Sequence, residues 1–86
     1  MSYKSSPRMF EEFLKSSLWA DMEYELDLWL EDIRHALENV DEHAVLLRLQ
    51  GNAEFVRKMK NLPANVLENI KEDIERESKE EKNAKT

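Results

Sequence analysis

The chain has 86 residues, one glycine, two prolines, no cysteine and a net charge of −6. That length bounds it to one small domain with little core, and the missing cysteines exclude disulfides and thiolate metal sites, which leaves self-association as the leading source of extra stability. Leu, Glu and Lys are abundant and β-branched residues never alternate, so strands are excluded in favour of an all-α fold.

Met1–Ser6 is polar. Pro7 is placed to start a short helix over about 7–15, with Ser5 or Ser6 as N-cap and Glu11 and Glu12 near its positive end. Met9, Phe10, Phe13 and Leu14 form an apolar patch on it. Ser16-Ser17 interrupts the pattern, and Ser17 is the expected N-cap of a long helix over about 18–39.

On that long helix Leu18, Trp19, Met22, Leu26, Trp29, Leu30, Ile33, Ala36, Leu37 and Val40 share one face. They cover an arc of roughly 120°, the width of a core-facing stripe. Tyr24 and Leu28 lie off the stripe, one turn apart, where a two-helix hairpin leaves them exposed.

Asn39-Val40-Asp41 reads as a turn, with Asp41 as N-cap of a further helix over about 42–61. Reversal there predicts an antiparallel hairpin. Its facing pairs are Leu37 with Val45, Ile33 with Leu49, Trp29 with Ala53 and Gly51, Leu26 with Val56, and Met22 with Met59 or Lys60. The expected hairpin core is therefore Met22, Leu26, Trp29, Ile33, Leu37, Val45, Leu49, Gly51, Ala53 and Val56. A mid-helix glycine costs about 1 kcal/mol against alanine, which suggests that a backbone or large ring approaches Gly51.

Leu47 and the flank Phe55, Met59 and Leu62 point to other sides of the same helix, so more than one packing partner is expected. Asn61-Leu62-Pro63 predicts a helix end. Asn65 and Glu68, at capping-box spacing, open a third long helix over about 64–76, with a narrow seam of Val66, Leu67, Ile70 and Ile74. Residues 1–76 thus read as one helical domain. Residues 77–86 read as a charged, disordered tail, because no apolar anchor beyond alanine follows Ile74. Candidate intermolecular contacts are Trp19, Tyr24, Leu28, Leu47, Phe55, Met59, Ile70 and Ile74.

Charge is unevenly spread. Residues 1–43 hold eleven acids and four bases, residues 44–63 one acid and four bases, and residues 64–86 seven acids and five bases. An acidic helix should attract a basic one across the hairpin, each pair weakly, and this balance argues against direct nucleic-acid binding. No apolar run approaches the ~20 residues needed to span a bilayer, and no signal-peptide core is present. The expectation is a soluble protein that stays where it is made, with no membrane partner.

Chemistry is sparse. The serines lie in no glycine-rich elbow, and one glycine cannot build a phosphate loop. Glu31, Asp32 and His35 share helical spacing that could hold a metal, but they lie on the polar side, and ordinary solvation is the expected role of His35 and of His43 in the turn. No enzymatic activity, cofactor or metal is expected.

Residues 18–63 resemble small helical proteins of tailed bacteriophages that are encoded near virion assembly genes. The residues that carry the resemblance are Trp19, then Arg48-Leu49-Gln50-Gly51, then Leu62-Pro63. It implies a capsid, connector or scaffolding-type role, with the chain itself and other virion proteins as partners, in the bacterial cytoplasm or the virion, and it transfers no catalytic residue. The expected fold is an all-α antiparallel hairpin with a short N-terminal helix and a third C-terminal helix, completed by oligomerisation. The alternative function is a small acidic regulator or inhibitor of a host protein, acting as a DNA mimic through the carboxylates of residues 1–43.

Overall fold

Serine starts the first two helices in the same way. The Ser6 hydroxyl accepts from the Met9 N–H at 3.3 Å and opens α1, Pro7–Leu14, with proline in the first turn. The Ser16 hydroxyl accepts from the Trp19 N–H at 3.2 Å and opens α2, Ser17–Glu38, so the cap is Ser16 rather than Ser17. Ser16 also closes α1, donating its hydroxyl to the Phe13 carbonyl at 2.6 Å. One residue thus terminates a helix and caps the next. The bend it makes brings the Phe13 ring to 5.7 Å from the Trp19 ring, centroid to centroid.

The computed structural model describes residues 2–84, with side chains for 2–81, and is all-α, with no strand among the described residues. After Asn39–Glu42 the chain enters α3, His43–Ala84, a single helix of 42 residues. Its first turn opens on the Glu42 carbonyl, which accepts from the Leu46 N–H at 3.0 Å, so Glu42 holds the cap position expected for Asp41. The two helices expected at 42–61 and 64–76 are one, and the Asn65–Glu68 capping box does not form. Residues 77–84, expected to be disordered, continue the helix, with a Lys79–Glu75 ion pair one turn apart (3.6 Å). Residues 85 and 86 lie outside the described residues.

Packing explains why the helix passes Pro63. Leu46, Leu49, Ala53, Val56, Lys60, Pro63, Leu67 and Ile70 repeat at alternating spacings of three and four, which places them on one seam. Ala53, Val56, Pro63, Leu67 and Ile70 are buried. A mid-helix proline costs about 3 kcal/mol. Breaking the helix there would rotate Leu67 and Ile70 off the seam, and burial of each such side chain is worth about 1.5–3 kcal/mol, so the continuous helix wins.

α2 runs back along α3. Lys60 Nζ lies 2.6 Å from Asp27 Oδ1, and beyond it Lys71 Nζ lies 3.5 Å from Glu11 on α1. Trp19, Leu26 and Val56 form the core, with Phe13, Leu14, Leu30, Ile33 and Met59 packed around them. The molecule measures 64 × 30 × 14 Å. Its thin dimension is close to one helix diameter, so it is a single layer of helices.

Candidate functional site

A single layer has two broad faces, and they differ. One is polar, with a single ion pair between α2 and α3 among the described residues and further pairs along α2 itself. Lys60 meets Asp27 there, and Arg34 bridges Glu31 and Glu38, the latter at 3.1 Å. His35 Nε2 stands 3.3 Å from the same Glu31, toward the outer edge of α2. The hydrogen bond from the Arg34 guanidinium holds the Glu31 carboxyl below its ordinary pKa and raises that of Arg34 in turn. These side chains are exposed, and their pairing with His35 is that of a solvated helix surface.

The other face is a groove of about 600 Å³. Phe10 and Phe13 of α1 close one end, Trp19, Met22, Glu25, Leu26 and Trp29 of α2 form one wall, and Met59, Leu62, Pro63 and Val66 of α3 form the other. Glu25 is the one charged side chain in the lining, and it accepts from the Trp29 indole N–H at 3.2 Å, which fixes the ring against the wall. Phe55, one turn before Met59 on the same side, extends the apolar surface and is 63% exposed. A shallower hollow of about 400 Å³ adjoins it around Met9, Phe10 and Phe13.

The structure rearranges the residues that the sequence singles out. Leu26, Ala53 and Val56 are buried, Ile33, Leu37 and Leu49 are half-buried in the seam, and Val45 is half-buried beside it. Met22 and Trp29, expected in the hairpin core, are 53% and 44% exposed on the groove wall. Gly51 faces open space and is exposed, with no side chain or facing backbone of the described residues within 4 Å of where a Cβ would sit. In the opposite direction, Trp19 and Ile70, expected at an intermolecular contact, are buried within the chain. Trp19 is held under Phe13, and Ile70 lies beside the Glu11–Lys71 bridge where α1 meets α3.

The remaining candidates do not form one surface. Tyr24 and Leu28 lie on the outer edge of α2, Leu47 on the outer edge of α3, and Ile74 beyond the last buried position, all exposed. Only Phe55 and the half-buried Met59 belong to the groove side. Phe10, Phe13, Leu62 and Val66 complete the groove; the sequence groups Phe10 with Phe13 and Leu62 with Phe55 and Met59, but a pattern read one helix at a time does not join these patches into one surface. Among the described residues no three His, Cys, Asp or Glu side chains converge as metal ligands, and no helix is long and apolar enough to cross a membrane.

The chemistry of this surface is that of apolar docking. It offers large rings, two methionine thioethers and one carboxylate whose oxygen is already hydrogen-bonded. Comparison with known protein families, with curated proteins and with solved structures returns no match.

Proposed function

We propose that this chain is a non-enzymatic interaction module that works by helix–helix self-association through its groove face. The observation that carries this reading is the apolar groove itself. Met22, Trp29, Leu62 and Phe55 stand exposed along one side of a layer only 14 Å thick, and no other described residue covers them. Contiguous apolar surface of this kind marks a contact site. An assembly role in a phage particle, as capsid, connector or scaffold and alongside other virion proteins, belongs to the same proposal. Its support is the resemblance at Arg48–Gly51 and Leu62-Pro63. The acidic-inhibitor reading has weaker support, since Asp27, Glu31 and Glu38 are occupied by Lys60 and Arg34.

The test is molar mass by light scattering over a concentration series, with helicity followed by circular dichroism. The wild-type chain is expected to self-associate. Trp29→Glu, which puts a charge into the groove wall, is expected to give a helical monomer. Leu28→Glu, on the outer edge of α2, is expected to leave association unchanged. A wild-type chain that is monomeric at every concentration would sink the proposal.

A further inference from the structure

The groove face carries a second repeat. On α2 it runs through Leu18, Met22, Glu25, Trp29, Asp32 and Ala36, alternately four and three residues apart. On α3 the same spacing runs through Arg48, Asn52, Phe55, Met59, Leu62 and Val66. Each helix therefore has two adjacent seams. The hairpin uses one. A second seam, rotated toward the groove, is what a helix needs when it has a second neighbour, as in a four-helix bundle.

We propose that this neighbour is a second copy of the chain, laid groove to groove about a two-fold axis parallel to the helices, so that α2 of each copy covers α3 of the other. The inference rests on the self-association reading and specifies its geometry. Charge selects this arrangement. Residues 17–38 hold seven acids and one base, whereas residues 44–63 hold one acid and four bases. The alternative two-fold axis, across the helices, would stack α2 on α2 and set acids against acids. The parallel axis alternates the sign around the bundle and makes every neighbouring pair antiparallel.

The polar positions of the second seam agree. A parallel axis keeps equivalent residues of the two copies at equal height. Leu26 packs with Val56 and Asp27 meets Lys60 across the hairpin, which sets Asp32 level with residues 50 to 55, so Asp32 of one copy comes within about two turns of Arg48 of the other, a span the two side chains can bridge together. Both are exposed, and neither has an ion pair among the described residues. The area suffices as well. The 22-residue α2 is about 33 Å long and two helices are about 20 Å wide, which gives roughly 650 Å² per copy, near the size of a specific dimer interface.

The experiment compares the wild type, Asp32→Arg, Arg48→Asp and a one-to-one mixture of the two variants, by light scattering and native mass spectrometry. Each reversal alone faces like charges twice in a dimer and is expected to raise the dimer Kd at least about tenfold. Mixing is expected to restore a dimer with one copy of each variant, because both cross-copy pairs are then complementary while the pair within each chain is not. If neither reversal weakens the dimer, or if mixing restores nothing, the geometry is overturned and self-association stands. A wild type that forms a trimer also overturns the geometry. A wild type that is monomeric throughout overturns the self-association reading beneath it.

Discussion

Gly51 occupies a stretch of α3 where an added methyl group would meet nothing within 4 Å, and its backbone is ordinary helix. The glycine therefore carries its helix penalty without a packing reason inside the chain. Gly51→Ala is expected to stabilise the protein by about 1 kcal/mol, read as a shifted urea midpoint at unchanged slope in dilute solution. A loss of stability would show that something does fill that space. The two tryptophans teach the complementary lesson. Both fall within the roughly 120° stripe of α2. Trp19 is 5% exposed and Trp29 is 44% exposed, because the stripe is two seams side by side and only one faces α3. Glu23 interrupts the inner seam and Glu25 the outer one, so polarity did not separate them in the sequence. Capping was easier to read. A serine before Pro7 and a serine pair before Leu18 are local signals, and they misplace the second helix start by a single residue.

At the scale of the element, α3 is where local rules and packing disagree. Proline removes the N–H that would reach the Met59 carbonyl, and the residue before it is pushed from helical geometry. The helix continues because both of its halves present one seam to the same partners. Replacing Pro63 with alanine should therefore restore a backbone bond worth more than the buried ring it deletes. We expect Pro63→Ala to keep the helical content and raise stability by about 1–2 kcal/mol in chemical denaturation. Destabilisation would mean that the ring, buried between Lys60 and Leu67 on the seam, contributes more than the backbone loses. The end of α3 follows another rule. Past Ile74 its support includes the exposed Lys79–Glu75 pair and the pair of Arg76 with half-buried Asp73, each weak. Removing residues 76–86 is expected to shift the unfolding free energy by less than about 0.5 kcal/mol, with helical signal lost only in proportion to length. A larger drop would show that the extension is held by something other than its own turns.

At the scale of the whole molecule, the radius of gyration is 18.9 Å. A compact domain of this length would have about 12 Å. The chain is long and thin because α3 alone accounts for about 63 Å at 1.5 Å per residue. In a single layer each helix can bury one seam against its neighbour and no more. Residue spacing and composition establish that the protein is helical, where α1 begins and to within one residue where α2 begins, where the chain reverses, and that apolar surface exceeds what a hairpin can cover. Those follow from residue spacing and capping chemistry, which act over one or two turns. Packing between helices is what selects the half of the α2 stripe that turns inward, carries α3 unbroken through Pro63, and gathers exposed apolar residues into one groove. These outcomes depend on how α1 and α2 together dock along α3. Burial over many turns there outweighs a local penalty at one residue, and a periodic pattern read one helix at a time carries no record of its neighbour.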